Sequence, residues 1–346
     1  MNNSSSYRAP ALEATITENP KFLPKLSTWD WIAIKIRTYF LKSLVKTFLA
    51  IIRLPGLRDT SVWPTYTKVY PCRPYLTHRV FIPKTYKDGD QLLPLYVDIH
   101  GGGFIICDAE TDDKFCTNFA NTNNFLVVSL EYSLAPGTKF PGPVNELFDV
   151  INAVLEDELL PFDKTKTAVG GFSAGGGLAL AVCQAASLRK RIGAVVGLYA
   201  TIDWTRDVKD QIASKPQNSP PDMLENNMST FVHGYFPPGQ DLRDPLASVV
   251  FAARENLPKN VCLIGCEMDL LCEDGEIMAK RLAGVDASQS SELTWEKNGV
   301  RWEKITGKCH GYDMTSAKGA EGKLNAQRAK KMHDELAEWL LREVYK

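Results

Sequence analysis

The chain has 346 residues, of which 44% are hydrophobic and 23% are charged. This composition is typical of a folded globular protein and excludes a disordered chain, and the length suits one large α/β core that carries a cap. Because the formal net charge of −1 provides no general attraction for phosphates, nucleic acid is not an expected partner.

The cysteines and the amino terminus indicate the compartment. Eight cysteines lie mostly in apolar runs of a large chain, which fits buried, reduced thiols. Cys262 and Cys266 are four residues apart, but no His or Cys pair at ligand spacing follows them, so no metal and no cofactor are expected. Residues 1–20 contain no apolar signal segment, and the protein is therefore predicted to be cytoplasmic.

A long helix is predicted over residues 29–53. Its lysines lie on one narrow stripe, and most of the remaining circumference is apolar. The longest uncharged run, residues 47–52, is far too short to span a bilayer. Two interpretations stay open: a cap helix packed over the core, or a basic amphipathic helix on a membrane surface, which would make the protein peripheral to a membrane.

Apolar runs then predict strands and helices in alternation. This order predicts parallel pairing with right-handed crossovers. Residues 201–243, rich in Pro, Asn and Asp, break the alternation and predict an insertion of loops and helices. The predicted strands are 66–70, 77–82, 92–99, 125–131, 167–169, 192–200, 261–265 and 302–305, and the predicted helices are 141–159, 276–282 and 326–344.

The chain is organised around Gly171-Phe172-Ser173-Ala174-Gly175, between a strand end and a helical pattern. Such a reversal strains the serine backbone, exposes its hydroxyl, and places the amide of Ala174 at a helix N-terminus that favours negative charge. A Gly-x-Ser-x-Gly string arises by chance in roughly one such chain in ten. The motif alone is therefore only suggestive, and an ordinary Gly/Ser loop is its alternative.

A second glycine motif, His100-Gly101-Gly102-Gly103-Phe104, follows the strand predicted at 92–99. Composition alone predicts His-Gly-Gly-Gly about 0.002 times in a chain of this size, so this signal is much stronger. Glycines let backbone amides approach a substrate oxygen closely, and Gly102, Gly103 and Ala174 are the candidate oxyanion-hole donors. The residues expected to support this loop, without acting as a base, are His100 and Gly101.

Ser173, Asp269 and His310 each follow a predicted strand, so all three should meet at the carboxyl edge of one parallel sheet. Their order along the chain is that of a hydrolase triad. His310 would take the proton of Ser173, and Asp269 would orient the imidazole and stabilise its cation. Glu267 and Asp274 are close in sequence and compete with Asp269 for that role.

These motifs resemble the hormone-sensitive lipase family of carboxylesterases within the α/β-hydrolases. The resemblance covers residues 93–310 and implies an α/β-hydrolase fold, with a mostly parallel eight-stranded sheet flanked by helices and a helical cap. It divides the chain into cap helices at 1–60, a first core part at 61–200, a cap insertion at 201–245 and a second core part at 246–346. The motifs are His100–Phe104, Tyr132-x-Leu-Ala-Pro136, Gly171–Gly176, Asp244-Pro245-x-Ala-Ser248, Asp269-x-Leu271 and His310-Gly311.

Two positions depart from the family pattern. The family usually has Arg where this chain has Ser133 and Asp where it has Phe172. If the two positions meet in space, the paired change leaves no orphan charge, and catalysis is expected to survive with altered loop packing or substrate preference.

The resemblance implies a serine hydrolase that acts on a small apolar ester through an acyl-enzyme. The same triad could serve a lactonase, an acyltransferase or an elimination catalyst, and a receptor on a hydrolase scaffold is a third class that the retained His310 disfavours. Phe231, Tyr235 and Phe236 of the insertion either line an acyl pocket or pack the insertion. The expected partner is the ester. Contact with a membrane surface and pairing with a second copy of the chain both stay open.

Overall fold

The computed structural model describes residues 20–57, 59–286, 292–314 and 319–346. The lead-in predicted for residues 1–20 lies, except for its last residue, outside the described residues. Within them, one sheet runs through the molecule and helices cover both of its faces, so the predicted α/β class is confirmed.

The sheet of the described residues has nine strands, one more than the eight predicted. They are β1 (Tyr66–Val69), β2 (Thr77–Phe81), β3 (Leu93–Ile99), β4 (Leu126–Leu130), β5 (Phe162–Phe172), β6 (Ala194–Leu198), β7 (Asn260–Cys266), β8 (Thr294–Lys297) and β9 (Val300–Ile305). Their order across the sheet is β1-β2-β4-β3-β5-β6-β7-β9-β8. The central pairs are parallel, and the pairs β1–β2, β2–β4 and β8–β9 are antiparallel.

The additional strand is β8, which forms an edge hairpin with β9. The two strands are joined by Asn298 and Gly299, whose φ angles of 50° and 75° suit a two-residue hairpin turn. This Asn-Gly pair is the sequence signal that would have predicted the hairpin.

Nine α-helices lie in the described residues. Sequence analysis missed the short α5 and also α2, which is rich in Asn and Thr, weak helix formers, so that its buried aromatic face stabilises it instead. The helices are α1 (Thr28–Ile52), α2 (Asp113–Asn123), α3 (Gly142–Glu156), α4 (Ala174–Val182), α5 (Ala186–Arg189), α6 (Val208–Ala213), α7 (Met228–Tyr235), α8 (Cys272–Ala283) and α9 (Gly319–Glu343).

The first helix begins where the sequence predicts. The Ser27 hydroxyl accepts a hydrogen bond from the Asp30 N–H at 3.2 Å and caps α1. α1 then packs against α7, which belongs to the insertion between β6 and β7. None of the described helices is both long enough and apolar enough to cross a membrane.

Alternation along the strands separates two apolar layers. Leu95, Val97 and Ile99 of β3 join one cluster, whereas Tyr96 joins the cluster on the opposite face. Because successive side chains of a strand point to opposite faces, each inner strand must be apolar at nearly every position. This explains the continuous apolar runs in the sequence.

The second layer also holds a buried carboxyl without a hydrogen-bond partner among the described residues. Asp112 is 1% exposed, and neither of its side-chain oxygens is hydrogen-bonded. Burial, reinforced by the charges of Asp98 and Asp313, raises the pKa of Asp112 well above 3.8. Burial likewise raises the pKa of Asp98 to about 6.

We predict that Asp112→Asn stabilises the protein, and that the gain grows with pH. A carboxyl whose pKa is raised by folding contributes most to the free energy of unfolding below its pKa in the unfolded chain, near 3.9. This contribution is lost as the pH rises through its pKa in the folded protein. Asparagine does not ionise, so the variant escapes this loss. Urea unfolding at pH 5 and pH 8 measures the difference, with the exposed Asp88→Asn as the control. An equal difference at both pH values would contradict the prediction.

Candidate active site

Ser173 lies at the junction of β5 and α4, in a backbone conformation that non-glycine residues rarely adopt. Its φ is 52° and its ψ is −117°. The surrounding backbone holds it there: its N–H donates to the Leu198 carbonyl at 2.9 Å, and its own carbonyl accepts from the Thr201 N–H at 3.1 Å. The strain predicted from the sequence is therefore present, and its neighbours maintain it.

The start of α4 packs directly on the end of β3. A Cβ atom added at Gly175 would lie 1.9 Å from the Ile99 carbonyl oxygen, so no side chain fits there. This approach brings the glycine loop that follows β3 beside Ser173, since a Cβ at Gly101 would lie 3.4 Å from the Ser173 Cβ.

The structure brings the three predicted polar residues together. His310 Nε2 is 2.8 Å from Ser173 Oγ, and His310 Nδ1 is 2.7 Å from Asp269 Oδ2. The other Asp269 oxygen accepts the Leu271 N–H at 2.9 Å. Because the serine hydroxyl is a donor and the carboxylate only accepts, the neutral imidazole carries its proton on Nδ1.

The two competing carboxylates are used elsewhere. Glu267 Oε2 accepts the Gly307 N–H at 2.7 Å. Asp274 accepts from Arg206 at 2.5 Å and from Gln211 at 2.7 Å. Of the three acidic residues near the end of β7, Asp269 is the one that hydrogen-bonds His310.

Burial and charge act in opposite directions on the His310 imidazole. Desolvation by burial lowers its pKa, but the attraction and hydrogen bond of Asp269 outweigh that effect, with further contributions from Asp222 and Asp313. The net result is a pKa of His310 above the ordinary 6.5. The imidazole is thus a stronger base than a free histidine.

The glycine loop turns sharply beside the serine. Gly102 and Gly103 have φ angles of 111° and 57°, and the Gly102 carbonyl accepts the N–H groups of Ile105 and Ile106 at 3.1 and 3.0 Å. Ala174 is the first residue of α4, so its N–H has no acceptor within the helix. These are the three amides that the sequence proposes as oxyanion donors.

His100 supports this loop through a stacking contact of its ring and through both of its nitrogens. Its Nδ1 faces the Gly101 carbonyl at 2.7 Å, its Nε2 faces Glu131 Oε1 at 3.2 Å, and its ring stacks on Tyr132 with centroids 4.3 Å apart. Burial lowers the pKa of His100, but the Glu131 hydrogen bond and charge outweigh it and raise the pKa. Since both ring nitrogens face acceptors, His100 donates from both of them, which fits the supporting role that was predicted.

Sequence analysis missed two carboxylates near His310. Asp222, in the insertion, accepts the Leu224 N–H at 2.8 Å and the Leu270 N–H at 3.3 Å, which ties the insertion to the loop of Asp269. Asp313 accepts the Tyr199 hydroxyl at 2.8 Å. Asp313 stands three residues after His310 and could have been noticed, whereas no local signal marks Asp222.

The two departures from the family pattern occupy different surroundings. Phe172 lies against Phe115, with centroids 4.9 Å apart, and against Tyr199 at 5.8 Å. The Ser133 N–H instead donates to Glu146 of α3 at 2.8 Å. These contacts give no support to a paired exchange of residues 133 and 172.

Aromatic residues join the insertion to the glycine loop. Tyr235 stacks on Phe104 at 3.9 Å, and Phe236 packs against Phe140 at 5.4 Å. Phe231 lies directly over the loop, because a Cβ at Gly103 would be 2.5 Å from its ring. Tyr235 and Phe236 therefore pack the insertion, and Phe231 lies next to the candidate site.

A small cavity lies in the neighbouring insertion, and none of Ser173, Asp269, His310 and the glycine loop lines it. Its volume is about 50 Å³, and it lies between Thr201, which is bonded to the Ser173 carbonyl, and Leu271, two residues after Asp269. Met228 and Val232 of α7 also line it. The described residues hold no group of three side chains suited to bind a metal ion.

Several proteins similar to this chain are esterases. An arylesterase of Saccharolobus solfataricus is 32% identical over 194 residues, covering 54% of this chain and 61% of that protein. Carboxylesterase NlhH of Mycobacterium tuberculosis is 27% identical over 228 residues, covering 62% of this chain and 68% of that protein. Several of these matches span only about three fifths of the curated relatives' length.

Solved structures extend the similarity to most of the chain. A hyperthermophilic esterase from the archaeon Pyrobaculum calidifontis is 26% identical with a TM-score of 0.65, over 91% of this chain and 100% of that one. A family described as alpha/beta hydrolase fold matches residues 96–301, which contain the glycine loop, Ser173 and Asp269. The chain therefore belongs to the α/β-hydrolase family, in agreement with the resemblance noted from its motifs.

Proposed function

We propose that this protein is a serine carboxylesterase that hydrolyses a small apolar ester through an acyl-enzyme on Ser173. The observation that carries the proposal is the continuous pair of hydrogen bonds from Ser173 through His310 to Asp269, at 2.8 and 2.7 Å. Relatives named arylesterase and carboxylesterase support the same chemistry.

In the first half-reaction, His310 Nε2 takes the Ser173 proton while Oγ attacks the ester carbonyl. The oxygen that becomes negative is stabilised by the amides of Gly102, Gly103 and Ala174. His310 then gives its proton to the departing alcohol oxygen, and the acyl group stays on Ser173.

In the second half-reaction, water replaces the alcohol. His310 takes a proton from water, the resulting hydroxide attacks the acyl carbon, and His310 returns the proton to Ser173 Oγ as the carboxylic acid leaves. Asp269 keeps the imidazole in the required tautomer and stabilises its cation in both halves.

The preference for a small apolar ester follows from the surroundings of the serine. Ser173 is 8% exposed, and Phe231 lies over the glycine loop, so that little room is left beside the serine. A short acyl chain therefore fits best.

Ser173→Ala is expected to lower the turnover of p-nitrophenyl acetate by at least about 10³-fold, because the nucleophile is lost. Ser133→Ala is the matched control and should retain wild-type activity, since among the described residues Ser133 binds a neighbour through its backbone N–H and not through its hydroxyl. A fluorophosphonate probe should label the wild type and not Ser173→Ala. Mass analysis of the products separates hydrolysis from acyl transfer, lactone opening or elimination. Equal turnover by both variants would refute the proposal.

The pH dependence of kcat/KM is expected to follow His310. The base must be neutral, so activity falls as the pH drops through the His310 pKa, with a midpoint above 6.5. Asp269→Asn removes the group that raises this pKa and should shift the midpoint downward, while the rate falls by about 10⁴-fold, as in other triads. Glu267→Gln, two residues away, should leave the midpoint unchanged. A wild-type midpoint at or below 6.5 would contradict this assignment.

Phe231→Ala is expected to move the preferred acyl length toward longer chains, because it opens the space above Gly103. Tyr235→Ala is the contrast: it removes the ring stacked on Phe104 and should destabilise the fold by about 3 to 5 kcal/mol without lengthening the preferred chain. A series of p-nitrophenyl esters from acetate to decanoate, read beside thermal unfolding, measures both effects. If Phe231→Ala prefers the same acyl length as the wild type, the acyl group does not bind beside Phe231.

A further inference from the structure

The first helix has two apolar faces, and the described residues cover one of them. Buried and half-buried positions recur every three or four residues along α1 and define its inner stripe, which faces the protein. Thr38 is the most buried, at 1% exposed, and a Cβ at Gly234 of α7 would lie 3.6 Å from its hydroxyl. The inner stripe consists of Ile34, Thr38, Leu41, Val45 and Leu49.

The opposite side of α1 is also apolar, and it is exposed. Trp29 is 80% exposed and Phe40 is 68% exposed. A helix that only covers a core presents polar side chains to water, so an apolar stripe along about 30 Å of exposed helix indicates a surface that binds something. We name it the outer face of α1: Trp29, Ile36, Phe40, Leu44 and Ile51, with the small Ala33 and Thr47 between them.

Beyond Asp30 in the first turn, the charges around the outer face have one sign. From Trp31 to Leu57 the sequence contains no Asp or Glu. The exposed Lys35 and Lys46 lie on one side of the outer face and Arg37 lies on the other. The face is therefore an apolar strip bordered by cations.

We propose that α1 docks this protein on an anionic lipid surface, with the outer face among the acyl chains and Lys35, Arg37 and Lys46 against lipid phosphates. Trp29 at one end of the strip suits the headgroup region, where an aromatic ring with a polar edge is favoured. A second copy of the chain fits less well, because pairing two outer faces would bring their cations together.

Two polar anchors hold α1 to the glycine loop. Lys42 Nζ donates to the Ala135 carbonyl at 3.0 Å, and the Ala135 N–H donates to the Phe104 carbonyl at 2.8 Å. Arg53 forms a double hydrogen bond with Asp108, at 2.6 and 2.7 Å. The helix is thus bonded directly to Asp108, at the end of the loop that begins at Gly102, and through Ala135 to Phe104 of the same loop.

This arrangement indicates the source of the substrate, and that part rests on the proposed function. A helix that lies on lipid, packs on the insertion and is clamped to the glycine loop holds the active site close to the bilayer. The ester that fits is one that dissolves in a bilayer and is concentrated there.

Vesicle sedimentation of the full chain tests the docking. Vesicles of phosphatidylcholine alone are compared with equimolar phosphatidylcholine and phosphatidylglycerol. Wild type should sediment with the anionic vesicles. The affinity of Ile36→Ser/Phe40→Ser for these vesicles should fall by at least about tenfold. That of Lys35→Gln/Lys46→Gln should fall about fivefold for each cation lost. The controls are Leu92→Ser/Leu159→Ser and Lys87→Gln/Lys190→Gln, which change exposed side chains elsewhere and should bind like wild type.

Turnover of a soluble ester keeps the two proposals distinguishable. All four double variants should hydrolyse p-nitrophenyl acetate like wild type, which also shows that they are folded. An inactive wild type that still binds anionic vesicles would refute the esterase and leave the docking intact. Equal sedimentation of wild type and Ile36→Ser/Phe40→Ser would overturn the docking. Analytical ultracentrifugation tests the alternative. If the wild type is a dimer that does not bind vesicles, and Ile36→Ser/Phe40→Ser is a monomer, the outer face binds a second copy and the docking proposal is overturned as well.

Discussion

The candidate site depends on one backbone contact, between the start of α4 and the end of β3. At Gly175 the two chains approach so closely that a single Cβ would overlap the Ile99 carbonyl oxygen. The strain at Ser173 and the position of the glycine loop are both consequences of this contact, because β3 leads directly into that loop. A larger residue at position 175 would move the serine away from the amides that lie beside it.

Hydrogen bonds around His310 compensate for the burial of its polar and charged neighbours. The imidazole and Asp269 are almost inaccessible to water, where an unpaired charge is expensive. Each nitrogen of His310 and each oxygen of Asp269 has a partner, so this polar chain is satisfied throughout. Asp222 and Asp313 add negative charge nearby while their own oxygens accept hydrogen bonds from Leu270 and Tyr199. The result favours a protonated imidazole at the stage when the reaction needs one.

Direct contacts connect α1 and α7 to the candidate site. α7 carries Phe231 over the glycine loop and Tyr235 against Phe104, and α1 packs on the outside of α7. Arg53 joins α1 to Asp108 of the same loop, and Lys42 joins it to Ala135, which bonds Phe104. A surface bound by the outer face of α1 would therefore act on the site through few intervening contacts.

Much of this could be predicted from the sequence because the signals are local. Continuous apolar runs indicate strands buried on both faces, and His-Gly-Gly-Gly and Gly-x-Ser-x-Gly mark sharp turns after such strands. Ser173 and His310 each follow a predicted strand, which was sufficient to predict that they lie at one edge of the sheet, since the carboxyl ends of parallel strands share that edge. The Asn298-Gly299 hairpin was equally local and was overlooked.

Other features required the tertiary structure, because they depend on contacts between distant segments. Sequence spacing could not separate Asp269 from Glu267 and Asp274, since their different partners, His310, Gly307 and Arg206, lie far along the chain. Asp222 carries no motif, and α2 is stabilised by packing and not by its composition. The apolar circumference of α1 was visible in the sequence, but which side is buried is decided by where α7 lies against it.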